Sequence, residues 1–158
     1  MTESILTDAE LAYLEAMPVG RLATVQPDGT LQVNPVGFAW NPATGTIDIG
    51  GFAMSRSRKF RNVAANGRAA FVVDDITSTD PWRVRCLDLR GSAEAVEHPS
   101  DTDGAVEGDP AIIRFRPSRI VALAVEDPDV EPHEIVANAR DVVPRASGSS
   151  PGSGTPAR

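Results

Sequence analysis

Thr46-Ile47-Asp48-Ile49-Gly50-Gly51-Phe52-Ala53-Met54-Ser55-Arg56-Ser57-Arg58-Lys59-Phe60-Arg61-Asn62-Val63 is the stretch on which the fold turns. A short β pattern, Thr46 to Gly50, runs into it, and a helical pattern from Arg56 to about Asn66 leaves it. Arg56, Arg58, Lys59 and Arg61 crowd into six positions, and Lys59 is the only lysine in the chain. Ser55 is placed as the helix N-cap, where a hydroxyl accepts an orphan backbone N–H. Cations in a first turn oppose the helix dipole and cost a few tenths to about 1 kcal/mol each unless an anion answers them. Free amides, hydroxyls and an Arg/Lys cluster together make a phosphate or carboxylate site. A solvated basic helix face is the other reading, and spacing alone leaves both open.

Working outward, the flanks read as strands and tight turns. Thr7 and Glu10 form a capping box ahead of a helix that carries Leu11 and Leu14 and ends at Pro18. Gly20 to Val25 and Leu31 to Val33 form a hairpin about Gln26-Pro27-Asp28-Gly29. Val36 to Trp40 is a further strand segment, turned at Asn41 to Gly45. Asn66-Gly67 stops the central helix. Ala69 to Val73 is a continuous apolar run, as in a strand buried on both faces. Asp74 to Pro81 reads as a polar loop, and Trp82 to Glu97 as one long strand bent at Gly91. After an acidic loop, His98 to Asp109, come strands at Ala111 to Pro117 and Arg119 to Glu126. Pro132 to Asp141 suggests a short helix. Ala146 to Arg158 is rich in Ser, Gly and Pro and is expected to be disordered. Short strands with one helix between two of them give a mainly β (α+β) fold, a small closed or split β-barrel. The expected organisation is a barrel over 1–126, an extension over 127–145 and a tail over 146–158.

A net charge of −7 over 158 residues argues against non-specific binding to nucleic acid or anionic membrane. A single cysteine, Cys86, excludes an intrachain disulfide framework and fits a reducing compartment. No signal peptide or transmembrane run is legible, so a cytoplasmic protein is expected. His98 and His133 lack ligand-spaced partners, so no metal site is expected. Cys86 reads as a small buried strand residue. No phosphate loop, dinucleotide fingerprint or Ser-His-Asp spacing is present, and no catalytic side chain is assigned.

The ordered blocks carry a resemblance. They are Gly20-Arg21-Leu22-Ala23-Thr24-Val25 with Asp28-Gly29, Gln32 to Val36, Lys59-Phe60-Arg61-Asn62-Val63, Arg68 to Asp75, Trp82-Arg83 to Glu94, and Ile113 to Ile120. In that order the chain resembles the split-barrel flavin and deazaflavin oxidoreductases, the superfamily of pyridoxamine 5'-phosphate oxidase. Within it, the chain is similar to the actinobacterial branch using the deazaflavin coenzyme F420, and to reductases that saturate enone bonds in tetracycline-type biosynthesis. The resemblance implies an FMN-binding-like split barrel and a homodimer with active sites at the subunit interface. It implies hydride transfer between reduced coenzyme F420 and an electron-poor enone, quinone or polyketide-like acceptor. The implied phosphate cation is Lys59, helped by Ser55, Arg56, Ser57 and Arg58; which of Arg56 and Arg58 meets phosphate stays open. The Gly51-Phe52 backbone would border the ring, and Asn34, Pro35 and Val36 would line the strand beneath it. Trp82 and Arg83 would come from the other subunit. On their own residues, Trp82 equally suits an interface anchor and Asn34 a strand-end turn. Arg61 and Asn62 would cap, pair with Asp74 or Asp75, or serve the site. Two other functions share the fold: an FMN-dependent oxidoreductase, and a non-catalytic binder of an anionic cofactor or tetrapyrrole.

Overall fold

The computed structural model describes residues 4–100 and 108–142. Two α-helices and eight strands follow in the order α1 (Asp8–Ala16), β1 (Gly20–Val25), β2 (Leu31–Val36), β3 (Ala39–Asn41), β4 (Thr46–Ile49), α2 (Arg58–Asn66), β5 (Arg68–Thr79), β6 (Trp82–Val96), β7 (Ile112–Leu123) and β8 (Asn138–Asp141). The sheet runs β2-β1-β5-β6-β7-β4-β3, with β8 joined to β7. Its two ends, β2 and β3, are separated in the chain by only Gly37 and Phe38. Strands so tethered cannot lie at opposite edges of a flat sheet. The sheet therefore curls on itself into a split barrel.

The barrel interior is filled by alternate residues of the long strands. Leu22, Ile47, Ile49, Phe71, Val73, Leu87, Leu89, Ile113, Phe115 and Ile120 are all essentially inaccessible. Phe38 meets Phe71 edge-on at 5.0 Å between ring centroids. α1 caps one end through Tyr13 and Leu14. Its capping box forms as read: the Thr7 hydroxyl accepts from Glu10 N and the Glu10 carboxylate accepts from Thr7 N.

Gly91 marks the expected bend, since the β6–β7 register shifts between Arg90 and Gly91. A Cβ at Gly91 would lie 2.0 Å from the Arg116 carbonyl oxygen, so no larger residue fits. Gly67 ends α2 in the left-handed conformation at φ 65°.

Four sequence readings change. The segment 74–81 is not a loop: β5 continues to Thr79 and pairs with β6 back to Trp82. Neither face of this two-stranded ribbon is buried, so polar residues follow one another without the alternation of a half-buried strand, a composition that reads as a loop. The two strands expected at 111–126 are one, β7, because Pro117 and Ser118 sit beside the bulge and leave the strand unbroken. Val36 to Trp40 is split at Gly37-Phe38. The helix expected at 132–141 is a single 3-10 turn, Pro132–Glu134, followed by β8.

β7 carries β4 along Ile113–Phe115 and β8 along Arg119–Ala122, so β8 completes an edge that β4 leaves open. The tail from 146 lies outside the described residues. Among the described residues, no helix is long and apolar enough to cross a membrane.

Candidate functional site

β4 delivers the chain to Gly51 and Phe52, and Phe52 stands 85% exposed. A 3-10 turn, Met54–Arg56, follows, anchored by the fully buried Met54. α2 then starts at Arg58, two residues later than its sequence suggests. The N-cap is Ser57, not Ser55: Ser57 has extended backbone and its hydroxyl accepts from Phe60 N at 3.2 Å. Ser55 lies inside the 3-10 turn, where its own amide and hydroxyl point elsewhere. The first turn of α2 holds no acidic residue. The unfavourable placement of Arg58 and Lys59 against the dipole is thus real.

Gly51, Phe52, Ala53, Met54, Arg56, Ser57 and Lys59 line one open groove of about 360 Å³. Lys59 is half-buried and, among the described residues, meets no carboxylate or other hydrogen-bond partner. Arg58 turns away and donates to Gln26 Oε1 at 3.1 Å. Of the two arginines left open by the sequence, Arg56 is the one on the groove. A second groove of about 490 Å³ adjoins the first across Phe52 and Arg56; Ser55 lies on it with Glu97, His98 and Asp109.

Asn34, Pro35 and Val36 sit at the end of β2, opposite Leu22, Arg21 and Gly20 of β1. They line neither groove. A hydrogen-bond chain ties them to α2 instead. Asn62 is 3% exposed and donates to Thr24 Oγ1 and Gln32 Oε1, both at 3.1 Å; Gln32 donates to Asn34 Oδ1 at 2.9 Å. Asn62 is therefore a buried strut between the basic helix and the β1–β2 hairpin. Neither Asn62 nor Arg61 pairs with Asp74 or Asp75: Arg21 takes Asp74 and Arg85 takes Asp75, each at 2.7 Å.

Trp82 and Arg83 lie at the tip of the β5–β6 ribbon. Its strand β5 has twelve residues, about 36 Å end to end at roughly 3.3 Å per step. Trp82 is 56% exposed. Arg83 is held by Glu131 Oε1, and its buried Nε has no partner among the described residues. A single chain thus assembles Gly51, Phe52, Arg56, Ser57 and Lys59, and leaves Asn34–Val36 and Trp82–Arg83 apart from them. Cys86 is half-buried, and burial pushes its thiol up to about 11, which suits a packed residue and not a nucleophile.

Asp109 is the residue that sequence reading missed. It ends the acidic loop 54 residues from Ser55, and its Oδ2 accepts from both Ser55 N (2.9 Å) and Ser55 Oγ (2.7 Å). Nothing local in the sequence announces a contact of that span.

A family model described as pyridoxamine 5'-phosphate oxidase matches residues 6–127. The chain belongs to that family. A 5a,11a-dehydrotetracycline/5a,11a-dehydrooxytetracycline reductase of Streptomyces rimosus is 44% identical over 124 residues, 76% of this chain and 84% of that protein. A solved F420 reductase is 30% identical with a TM-score of 0.55, covering 73% of this chain and 98% of its own. An FAD-binding protein of Mycobacterium smegmatis, 21% identical with a TM-score of 0.56, covers 76% of this chain and 96% of its own and shares the fold. These relatives place the chain among the oxidoreductases of the pyridoxamine 5'-phosphate oxidase family.

Proposed function

We propose that the protein is an F420H2-dependent reductase acting on an electron-poor small molecule such as an enone, quinone or polyketide-like acceptor. The observation that carries this is Lys59: a half-buried cation without a partner among the described residues, at an acid-free helix start on an open groove. A buried or half-buried charge is stabilised by a counterion, so such a lysine calls for an anion supplied from outside the chain. The donor set of Lys59, Arg56 and the backbone of Gly51 to Ala53 suits a phosphate-bearing cofactor, and no carboxylate of the described residues competes at Lys59. The F420 reductase and the tetracycline-type reductase among the relatives support the choice of deazaflavin and of an enone-like acceptor.

Lys59, Arg56 and the Gly51 to Ala53 backbone would hold the deazaflavin, which when bound would supply the hydride chemistry for an electron-poor acceptor carbon. The chain's residues position and neutralise. Lys59 and Arg56 offset the phosphate charge, and Met54 and the Ser57 cap fix the turn that presents them. Phe52 offers an exposed aromatic face beside the groove. Asn62, through Gln32, holds Asn34 in place relative to the helix. No acid–base side chain is assigned to the proton.

The active unit in this reading is a homodimer. Leu31 and Val33 are 74% and 63% exposed on β2, and their register partners Val25 and Ala23 share that face. Such an apolar sheet face suits a second copy. The separation of Trp82 and Arg83 from their own groove fits their service across that interface.

Titration with coenzyme F420 and with FMN, read by fluorescence quenching, tests the cofactor. An F420H2-linked acceptor screen over enones, quinones and biliverdin-like compounds tests the activity. Tight FMN binding without F420 binding replaces the deazaflavin with FMN. F420 binding with no turnover of any acceptor makes the protein a carrier.

A further inference from the structure

Phe52 and Arg56 are shared by two grooves, one holding Lys59 and the other holding Glu97, His98 and Asp109. Ser55 lines the second groove and is already occupied. Asp109 Oδ2 takes both Ser55 donors, and Asp109 Oδ1 accepts from Ala111 N at 3.0 Å. The Ser55 hydroxyl and amide, the Ala111 amide and the nearby Arg56 charge hold the Asp109 carboxyl below its ordinary range. It is a fixed anion sitting where a ligand anion would meet the basic turn.

We propose that Asp109 is a specificity-determining residue: an internal carboxylate that occupies Ser55, offsets Arg56, and limits how much negative charge a ligand can bring to this turn. The inference rests on the cofactor-site reading above. The basic stretch places four cations within six residues. Arg58 turns off the groove to Gln26, and Asp109 lies near enough to Arg56 for the two charges to interact, so Lys59 is the groove cation that no described carboxylate offsets. Ser55, a residue whose sequence suits phosphate binding, is withheld from the ligand. A phosphate bound beside Lys59 is accommodated, while further negative charges toward the second groove meet Asp109 and Glu97.

The test compares wild type with Asp109→Asn, Asp109→Ala, Glu97→Gln and Lys59→Ala. Coenzyme F420 and FMN are titrated at low and high salt, with circular dichroism and melting checked for each protein. Two unit charges a few ångströms apart near a surface, partly screened, predict roughly three- to fivefold tighter F420 binding for both Asp109 variants. The gain shrinks at high salt and is smaller for FMN, which carries fewer charges. Glu97→Gln, which keeps Asp109 on Ser55, changes affinity less than twofold. Unchanged or weaker F420 binding in a folded Asp109→Asn or Asp109→Ala protein overturns the inference, as does an equal gain from Glu97→Gln. Lys59→Ala separates the two levels. If it weakens F420 binding while the Asp109 variants show no gain, this inference alone falls. If it binds F420 as wild type does, the cofactor-site reading falls, and this inference with it.

Discussion

Glu10, wholly buried in the first turn of α1, receives both terminal guanidinium nitrogens of Arg140 from β8, 130 residues away. The same guanidinium donates to the Ile5 carbonyl at 3.0 Å. Residues 128–142 lie beyond the family match yet lock the first helix to the last strand. Arg140→Met leaves a buried carboxylate without its cation and is expected to destabilise the fold by about 3 kcal/mol. Glu10→Gln combined with Arg140→Met is expected to recover much of that loss, because the neutral pair no longer strands a charge. Urea unfolding of the three proteins decides. Equal destabilisation by the single and double changes would mean that the pair contributes packing and not charge balance.

Lys59→Ala is expected to leave folding intact, since the side chain anchors no other described residue. Loss of one charge-assisted contact predicts a roughly 10- to 100-fold weaker F420 affinity, about 1.4–2.8 kcal/mol. Lys59→Arg should retain most of the binding. Fluorescence quenching gives the affinities. A Lys59→Ala protein that binds as wild type does removes the anion site.

A shared active site makes a sharper claim than dimerisation. Lys59→Ala and Trp82→Ala proteins are each expected to be poorly active as homodimers. Unfolded together and refolded, they form heterodimers in which one site receives an intact Lys59 and an intact Trp82. With random pairing, about a quarter of wild-type activity returns. No recovery, in a mixture shown to have exchanged subunits, places Trp82 outside the site of its neighbour.

How much of this was legible in the sequence depends on the range of each contact. The capping box at Thr7 and Glu10, the stop at Gly67 and the bend at Gly91 are local, so residue identity was enough. The reach of β5 to Thr79 was not, because a ribbon exposed on both faces is polar at successive positions, as a loop is. Ser57 displaced Ser55 as the cap because the chain spends one extra turn at Met54–Arg56, and both serines have the right chemistry. Asp109 and Arg140 act across 54 and 130 residues, so neither role could be seen from spacing. The basic stretch itself was legible, and its division into an open, half-buried Lys59 side and an occupied Ser55 side was not.

The alkaline limb of stability offers a last test. Tyr13, the only tyrosine, donates to Asp75 Oδ1 at 2.9 Å beneath the Arg85 guanidinium, which stacks 4.6 Å from its ring. Burial, with the bond to Asp75, raises the Tyr13 phenol well above its ordinary value, and burial raises the Cys86 thiol to about 11. Both groups are neutral when protonated, and both ionise more readily in the unfolded chain. The stability they contribute is therefore complete below their unfolded values and lost as pH climbs through the folded ones. Cys86 acts first, from about pH 9 upward, and Tyr13 from about pH 10. Cys86→Ala is expected to flatten the stability loss in the first window. Tyr13→Phe should flatten it in the second, while costing about 1 kcal/mol at neutral pH for the lost hydrogen bond. Asp75 runs the other way: Arg85 holds its carboxyl below the ordinary range, so its contribution is full at neutral pH and fades only in acid. Asp75→Asn should therefore weaken the fold at pH 7 and flatten the acid limb. Urea unfolding at stepped pH reads all three. An unchanged alkaline slope in the Cys86→Ala, Tyr13→Phe double variant would show that neither group titrates with folding.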